Sequence, residues 1–424
     1  MAERSFLGDM LTTLFERSQV MSVSRDRRSL TDMCRALLDA EGEVSGLRLA
    51  QGILDRYAGL APNDRLAFFK FLNDELELDL PALQSAAQAY ADTPDPEIYR
   101  TLSAAAEPRR QELLRRLNQP PNATRRLVAM RADLLDALKD HPDLRRTDQD
   151  FQHLLRSWFN RGFLVLRQIS WETPASILEK IVAYEAVHAI NDWDELRRRL
   201  YPQDRRCFAY FHPTMPDEPL IFVEIALTMK VPASIQHLLA DNRETRNAQD
   251  TKVAVFYSIS NCQRGLKGIS FGNLLIKQVV DELSQELPGI DTFVTLSPIP
   301  GLNAWLGEQL DNPEAVAVLS DTAPKEAFRR VVSEYLLNAK DSRDQPRDPV
   351  ARFHLGNGAQ IYDIHADADT SEAGQQRSSG AMVNYQYDLK MIEQNHERFV
   401  QNGRVATAPG FRIPSKPRKQ RTRA

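Results

Sequence analysis

Hydrophobic residues in the first part of the chain recur at the spacing of amphipathic helices. Phe6, Met10 and Leu14 follow one another at intervals of four residues, and similar stripes continue to about Phe159. Because a helix turns about once every 3.6 residues, this spacing places the apolar side chains on one face. The pattern predicts an all-α N-terminal domain, residues 1–158, whose apolar faces bury in a core or in a subunit interface. The prolines that punctuate its helices are Pro62, Pro94, Pro96, Pro120 and Pro121.

Beyond Phe159 the pattern changes to short runs rich in branched and aromatic residues. Such runs favour β-strands, and they alternate here with segments of helical periodicity. The run 220–227 is apolar apart from Glu224, which indicates a strand covered on both faces. We therefore predict an α+β protein of two domains, the second of which, residues 159–403, has a central mixed sheet. The predicted strands are 206–211, 220–227, 253–260 and 292–296, and the predicted helices are 173–187, 193–200, 233–240, 273–287 and 313–338.

The composition is that of an ordinary soluble globular protein. The 424 residues include 42% hydrophobic and 26% charged side chains, and 54 basic against 58 acidic groups give a net charge of −4. This length exceeds what one hydrophobic core usually supports, which agrees with two domains. The small net charge favours neither nucleic acid nor a membrane surface as a partner. The three cysteines form no C-x-x-C pair, so neither a disulfide framework nor a structural zinc site is expected.

The two ends of the chain lead to an expected location and an expected tail. The N-terminus has early acidic residues and no apolar core of signal-peptide length, and no stretch reaches the roughly 18 apolar residues of a membrane span. We expect a cytoplasmic location by default and no membrane partner. Residues 404–424 are rich in proline and basic side chains, a composition typical of a disordered tail, and we expect this tail to be solvated rather than bound to nucleic acid.

A glycine-rich segment between an apolar run and a helical segment is the first candidate for chemistry. Three glycines let the backbone approach a ligand closely, and the N–H groups of the following helix favour an anion such as pyrophosphate. An arginine and a lysine add positive charge, although such a segment can also be a simple tight connection. The spacing resembles the acyl-CoA pyrophosphate loop of the GNAT acyltransferases more than a Rossmann or P-loop motif. The candidate binding residues are Gln263, Arg264, Gly265, Lys267, Gly268 and Gly272.

Four further motifs narrow the resemblance. Ser-Pro-Ile-Pro-Gly at 297–301 closes an apolar run, and Phe-His-Leu-Gly-Asn-Gly at 353–358 follows after a helical insertion. Tyr-Glu-Ala-Val-His precedes them at 184–188, and Met-Val-Asn-Tyr-Gln-Tyr follows them at 382–387. In their order and spacing, these motifs make the chain similar to the malonyl-CoA decarboxylase family over residues 158–389.

The resemblance implies a reaction and a site. In that family the serine of the first motif and the histidine of the second form the catalytic pair, which correspond to Ser297 and His354 here. It also implies that Ser258 and Tyr387 line the malonyl pocket of a GNAT-like catalytic domain. The implied reaction converts malonyl-CoA to acetyl-CoA and CO2 in fatty acid metabolism, and the implied assembly is a homotetramer. Ser270 stands where relatives have an acidic residue, so this position receives no role.

The implied chemistry needs few groups. Decarboxylation of a malonyl thioester requires stabilisation and then protonation of an enolate, and neither step needs a metal or an organic cofactor. Histidine is well suited as the acid, and the prolines after Ser297 stiffen the loop that holds its hydroxyl. A nucleophilic Ser297 is the rival mechanism, disfavoured because the CoA thioester survives in the product. Without the resemblance, the residues alone favour an ordinary turn serine for Ser297 and a buried structural histidine for His354.

Other functions and sites carry less support. A GNAT-type acyltransferase would share the CoA loop but need an acceptor amine site, and a non-catalytic CoA-binding scaffold would need only the loop and the helical domain. The alternation of Asp363, His365, Asp367 and Asp369 lacks the glycine and glutamate that complete a calcium loop, so no metal is expected. Cys262 is expected to be a buried structural thiol.

Overall fold

Residues 26–269 and 272–415 are described by the structure, a computed structural model. They form two compact units. The first contains residues 26–160 together with 264–269, and the second contains the remaining described residues. The predicted helical stripe at Phe6, Met10 and Leu14 lies outside the described residues, as does Ser270.

The first unit is helical, as predicted. Its first helix begins after Ser29, whose side chain accepts a hydrogen bond from the backbone N–H of Asp32 and satisfies a donor that the helix leaves free. The third helix begins at Pro62, where the missing N–H costs nothing because it lies in the first turn. The helices are α1 (Leu30–Leu38), α2 (Glu43–Ala58), α3 (Pro62–Asp74), α4 (Leu80–Asp92), α5 (Pro96–Ala105), α6 (Arg109–Leu117), α7 (Ala123–Ala137) and α8 (Arg145–Trp158).

Aromatic rings and paired charges occupy the centre of the helical unit. Phe68 and Phe69 pack against Tyr57 with ring centroids 5.3 and 6.1 Å away, in the tilted arrangement that aromatic side chains prefer. Arg131 on α7 is almost fully buried and pairs with Asp148 on α8, with 2.8 Å between Nε and Oδ1. Because a buried charge needs a partner, this pair fixes the two helices against each other.

The second unit is built around one mixed sheet, which confirms the predicted α+β architecture. The strand order is β1-β2-β3-β4-β5-β8-β6, and β7 also pairs with β8. The strands are β1 (Val165–Ile169), β2 (Arg205–Phe211), β3 (Ile221–Thr228), β4 (Val253–Asn261), β5 (Thr292–Thr295), β6 (Ser297–Pro298), β7 (Gln360–His365) and β8 (Met382–Gln386). The helices are α9 (Ala175–Tyr184), α10 (Trp193–Leu200), α11 (Ile235–Leu239), α12 (Gly272–Glu286), α13 (Leu302–Leu306), α14 (Pro313–Leu319), α15 (Lys325–Asn338), α16 (Pro349–Gly356), α17 (Glu372–Ser378) and α18 (Ile392–Asn402).

The strands β4 and β5 run parallel and then separate. Residues 253–256 of β4 pair with β5, and the backbone N–H of Leu296 donates to the carbonyl of Phe256 at 3.0 Å. Beyond this bond β4 continues to Asn261. The segment that follows β5 instead enters β6 and places Ser297 opposite Val383 of β8. Ser297 therefore lies just beyond the point where the two parallel strands diverge.

The predicted doubly covered strand is confirmed as β3, which is buried along all but its last residue. Its one charged side chain, Glu224, is fully enclosed and pairs with Arg199 at 3.1 Å. Burial raises the pKa of Glu224 to about 8, although the attraction of Arg199 opposes the shift. The carboxyl group thus stays in the core because an arginine accompanies it.

Two predictions about the second unit were incomplete. The strands β1, β6, β7 and β8 were not among those predicted. The first part of the predicted disordered tail, 404–424, is packed instead: Thr407 bridges to Ile361, and Phe411 is buried with the guanidinium of Arg329 5.1 Å from its ring centroid. The burial of an aromatic ring offsets the entropy lost by ordering this segment. Residues 416–424 lie outside the described residues.

None of the helices in residues 26–269 and 272–415 is long and apolar enough to cross a membrane.

Candidate active site

Ser297 lies on β6 with its hydroxyl group turned into the second unit. Thr295 and Ser297 are two residues apart, so their side chains point to the same face of the extended chain. Ser297 Oγ donates a hydrogen bond to Thr295 Oγ1 at 2.8 Å. Both side chains are buried. The strand geometry that follows from the sequence therefore places a second hydroxyl group directly beside the predicted catalytic serine.

His354 reaches the same place from helix α16. Its Nε2 lies 3.1 Å from Ser297 Oγ, and its Nδ1 lies 2.7 Å from the hydroxyl oxygen of Tyr387. The ring stacks on Tyr385, with 4.7 Å between centroids and 26° between planes. The structure thus brings together three of the predicted site residues, Ser297, His354 and Tyr387, which are far apart in sequence.

The environment of His354 controls its protonation. Its side chain is 3% exposed, and burial lowers the pKa of His354 from its usual 6.5 to about 3. Burial likewise raises the pKa of Tyr387 well above its usual range. Both groups are therefore uncharged near neutral pH, and His354 carries one ring proton, so one of its two nitrogens donates a hydrogen bond and the other accepts one.

The hydrogen-bond directions assign that proton to Nε2. A hydroxyl group has one proton, and that of Ser297 is donated to Thr295. The contact between Ser297 and His354 therefore requires His354 Nε2–H as the donor. Neutral His354 then has a lone pair on Nδ1, which accepts the proton of Tyr387. The result is a directed chain from Tyr387 through His354 and Ser297 to Thr295.

Asp348 supports both motifs. It is the N-cap of α16, and its Oδ1 accepts hydrogen bonds from the backbone N–H groups of Val350 and Ala351, each at 2.9 Å. Its Oδ2 accepts from the N–H of Gly301, the last residue of the Ser-Pro-Ile-Pro-Gly motif, at 3.3 Å. A side chain at Gly301 would overlap Tyr335, which explains the glycine. One buried carboxyl group thus ties the serine loop to the histidine helix.

Ser258 is buried on β4, but its hydroxyl group is engaged elsewhere. It donates to the carboxyl group of Glu185, with oxygen distances of 2.7 and 2.9 Å, and Ser260 donates to the same carboxyl group at 3.2 Å. The other partners of Glu185 are the backbone N–H groups of residues 187 and 188, each at 2.8 Å. Any contact of Ser258 with a substrate must compete with this hydrogen bond, so its role in the pocket stays a prediction.

The predicted phosphate-binding loop belongs, from Arg264 to Ile269, to the helical unit. Gly265 is packed so tightly on α7 that a side chain would overlap the carbonyl of Val128. Gly268 has a φ of +82°, a conformation that favours glycine. These two glycines therefore have structural reasons that do not involve a ligand. Their proposed part in phosphate binding stays a prediction, and α12 begins at the remaining predicted glycine, Gly272.

The polar side chains of the loop differ in how they are held. Arg264, whose side chain is 68% exposed, pairs with Asp136 at 2.7 Å, and Gln263 donates to the carbonyl of Pro219 at 3.1 Å. Lys267 is exposed, and its carbonyl accepts a hydrogen bond from Arg131 at 2.9 Å; Arg131 also donates to the carbonyl of Gly265 at 2.6 Å. Arg131 thus fixes the backbone of the loop from beneath.

Sequence reasoning missed several residues that hold the predicted site residues of each unit in place. Thr295, Asp348, Glu185 and Arg131 were not singled out as candidates. A signal existed for two of them: Thr295 alternates with Ser297 along a predicted strand, and an aspartate directly before a proline is typical of a helix N-cap. Glu185 lies in the Tyr-Glu-Ala-Val-His motif, but its contact with Ser258 joins residues that are distant in sequence, and nothing local marks Arg131. Within the described residues, no group of three or more histidine, cysteine or acidic side chains is arranged to hold a metal ion.

Comparisons with known proteins identify the family of the chain. The family model described as the malonyl-CoA decarboxylase C-terminal domain matches residues 162–327 and 320–423, and the model of the N-terminal domain matches residues 77–159. The mitochondrial malonyl-CoA decarboxylase of Anser anser anser is 34% identical over 336 residues, which are 69% of this chain and 66% of that protein. That of Rattus norvegicus is 33% identical over 332 residues, 68% of this chain and 67% of that protein. The matched part thus spans about two thirds of these relatives.

Solved structures that match nearly over their full length belong to the same family. The crystal structure of malonyl-CoA decarboxylase from Rhodopseudomonas palustris matches with a TM-score of 0.85 at 49% identity, over 90% of this chain and 97% of that chain. That from Agrobacterium vitis matches with a TM-score of 0.84 at 46% identity, over 90% of this chain and 98% of that chain. Fold and site define a two-unit α+β protein with a buried serine–histidine pair. The chain belongs to the malonyl-CoA decarboxylase family.

Proposed function

We propose that this protein is a carboxy-lyase that converts malonyl-CoA to acetyl-CoA and CO2. The observation that carries the proposal is the buried hydrogen-bonded chain of Tyr387, His354 and Ser297, built from the motifs by which the chain resembles its family. A low-polarity site with a neutral histidine suits a reaction in which a charged carboxylate leaves as uncharged CO2. Transfer of the malonyl group from water into such a site disfavours the carboxylate more than the enolate-forming transition state.

His354 delivers the proton in this proposal. When the bond between the α-carbon and the carboxylate breaks, its electrons form the enolate of the thioester. The Nε2 proton of His354 then passes to the α-carbon, while Nδ1 receives the proton of Tyr387, and solvent later restores Tyr387. The imidazole gains one proton as it loses another and stays neutral, so no imidazolium, which burial disfavours, is formed. The negative charge of the enolate passes to the oxygen of Tyr387 until solvent returns a proton.

Ser297 positions the malonyl group and is not acylated. When the malonyl group binds, the Ser297 hydroxyl turns its proton from Thr295 to a malonyl oxygen. Because Ser297 Oγ lies 3.1 Å from His354 Nε2, this hydrogen bond orients the malonyl group so that the α-carbon faces His354. The thioester to CoA stays intact throughout, because the bond that breaks lies on the other side of the α-carbon. Ser258 and Tyr387 complete the malonyl pocket.

The loop of Gln263, Arg264, Gly265, Lys267, Gly268 and Gly272 binds the phosphates of CoA in this proposal. Lys267 is exposed on the loop, and Arg264 offers a second charge once it exchanges Asp136 for a phosphate. The reaction requires no metal, nucleotide or other cofactor, because charge stabilisation and one proton suffice.

The assembly and location follow the same proposal. The resemblance implies a homotetramer that forms through the helical unit, and exposed apolar side chains on that unit, such as Val44, Leu80 and Tyr99, are available for such contacts. We place the protein in the cytoplasm and its reaction in fatty acid metabolism, without nucleic acid or membrane partners.

Product analysis tests the proposal directly. Purified protein is incubated with malonyl-CoA alone, without metal or acceptor, and the products are followed by mass spectrometry. The proposal predicts acetyl-CoA and CO2. Activity that a chelator abolishes and a divalent ion restores would contradict the cofactor-free chemistry. Transfer of the acyl group to an added amine, without decarboxylation, would instead favour an acyltransferase, and binding without turnover would favour a scaffold.

A further inference from the structure

We propose that Thr295 is the positioning residue that sets the direction of the hydrogen bonds through Ser297 and His354. By accepting the serine proton, Thr295 keeps the histidine proton on Nε2, where it is available to the substrate carbon, and keeps Ser297 from acting as a nucleophile. The kinetic consequences of this inference rest on the proposed decarboxylation. Its structural part concerns only the positions of the Ser297 hydroxyl proton and the His354 ring proton.

Thr295 is held rigidly enough for this role. It ends β5, its side chain has 0% exposure, and its Oγ1 accepts a hydrogen bond from the backbone N–H of Tyr385 at 3.1 Å. Its carbonyl accepts a hydrogen bond from the buried side chain of Asn384 at 2.8 Å. Bonds from two consecutive residues of β8 thus fix both the backbone and the side chain of Thr295. Its Oγ1 therefore presents a stationary acceptor to Ser297 at 2.8 Å.

The alternative direction would give different chemistry. In a serine nucleophile paired with histidine, the serine hydroxyl donates its proton to the histidine, which acts as the base. The 3.1 Å distance between Ser297 Oγ and His354 Nε2 would permit this bond. The shorter contact with Thr295 takes the serine proton instead. His354 Nε2 then has no lone pair to offer, so the serine is not activated for attack on the thioester.

Removing the hydroxyl oxygen of Thr295, which accepts the Ser297 proton, should reverse the direction of these hydrogen bonds. In Thr295→Val, a side chain of nearly the same shape, the nearest acceptor left for the Ser297 proton is His354 Nε2. His354 would then carry its proton on Nδ1 and donate it to Tyr387. The proton needed at the substrate carbon would point away from it. Because Thr295 is fully buried and acts through Ser297 and His354, the loss should fall on kcat, by about tenfold or more, and leave KM nearly unchanged.

Two matched variants separate direction from packing. Thr295→Ser keeps the acceptor and loses only a methyl group, so it should retain most of the wild-type kcat. Thr292→Val makes the same chemical change at the other end of β5, where the threonine bonds Asp291, and should leave kcat and KM unchanged. An equal loss of kcat in Thr295→Ser and Thr295→Val would overturn the proposal, because it would assign the effect to packing.

The decisive readout is spectroscopic and does not depend on activity. In protein labelled with ¹⁵N-histidine, two-bond ¹H–¹⁵N correlations distinguish the two neutral tautomers, and the signal of His354 among the eight histidines is the one that disappears in His354→Gln. The proposal predicts the Nε2–H tautomer in wild type and in Thr295→Ser, and the Nδ1–H tautomer in Thr295→Val. An Nδ1–H tautomer in wild type would overturn it even if Thr295→Val fails to fold. If malonyl-CoA is not a substrate, the proposed function fails while the tautomer test still stands.

Discussion

The backbone N–H of Gly301 donates a hydrogen bond to Oδ2 of Asp348 at 3.3 Å, and this bond joins the loop that follows Ser297 to the helix that carries His354. Because the other oxygen of Asp348 caps that helix, one carboxyl group controls two geometries at once. The distance between Ser297 and His354 thus depends on a residue whose carboxyl group hydrogen-bonds to the segments that carry them.

Substitution of Asp348 should separate these two tasks. Serine is also a good N-cap, so Asp348→Ser should retain the helix start but be too short to reach Gly301. We expect kcat to fall by about tenfold with little change in melting temperature, and Asp348→Ala to cost about 1 kcal/mol more of unfolding free energy through the lost cap. Kinetics and thermal melts of both variants check this. Wild-type kcat in Asp348→Ser would show that the link to Gly301 has no catalytic importance.

Arg131 should matter for the CoA moiety alone. Lysine can still pair with Asp148 but lacks the planar fork that binds the carbonyls of Gly265 and Lys267 together, so Arg131→Lys should loosen the loop. We expect KM for malonyl-CoA to rise, whereas turnover of malonyl-pantetheine, which has no pyrophosphate, should be unaffected.

Arg126→Gln is the matched control for this measurement. Arg126 lies on the same helix α7 and pairs with Asp55 rather than with the loop. The kinetics of Arg126→Gln with malonyl-CoA and with malonyl-pantetheine should equal those of the wild type. Equal losses for malonyl-CoA and malonyl-pantetheine in Arg131→Lys would assign Arg131 a general structural role, and unchanged kinetics for both would remove the loop from the binding site.

The buried histidine should make stability depend on pH. The pKa of His354 is about 3 in the folded protein against about 6.5 when unfolded, so between these values the unfolded chain binds more protons. The free energy of unfolding should therefore fall as the pH drops through this window. His354→Gln removes this contribution, and urea titrations between about pH 4 and pH 7 should give it a shallower slope than wild type. Parallel slopes would mean that His354 is not buried in its neutral form.

The helical unit should mediate self-association. Light scattering coupled to gel filtration should give a mass near four times the chain mass of 48.2 kDa. Replacement of exposed apolar side chains such as Val44, Leu80 and Tyr99 by charged residues, one at a time, should identify the interface by lowering this mass. A monomer at micromolar concentration would contradict the proposed tetramer and leave these apolar side chains without a partner.

Much of the fold could be predicted from periodicity alone. The predicted helix 193–200 coincides with α10, and the four predicted strands correspond to β2, β3, β4 and β5. These elements have long apolar runs or strong amphipathic stripes, so local pattern and tertiary packing agree. The strand β1 carries mostly exposed and half-buried side chains, β7 carries buried and half-buried ones, and neither strand alternates cleanly. Their existence depends on pairing with distant strands, which a local pattern does not contain.

The site was predictable in its residues but not in its geometry. The motifs identified Ser297, His354 and Tyr387, yet their contact depends on how β6, α16 and β8 pack, which spacing along the chain does not reveal. For the same reason, the glycine at 265 was interpreted as access for a ligand, whereas the structure places a backbone carbonyl against it. A ligand and a backbone carbonyl can each come this close only to a glycine, so the residue type does not show which of the two lies against it.

Turnover of single and double variants at Ser297 and His354 tests the central claim most directly. If His354 protonates the enolate and Ser297 orients the malonyl group, His354→Asn and Ser297→Ala should each lower kcat for malonyl-CoA by roughly 10²- to 10⁴-fold with the fold retained. Because both side chains act on one transition state, the double variant should be little worse than the poorer single one. Near-wild-type turnover in His354→Asn, or an acyl group trapped on Ser297, would contradict the account.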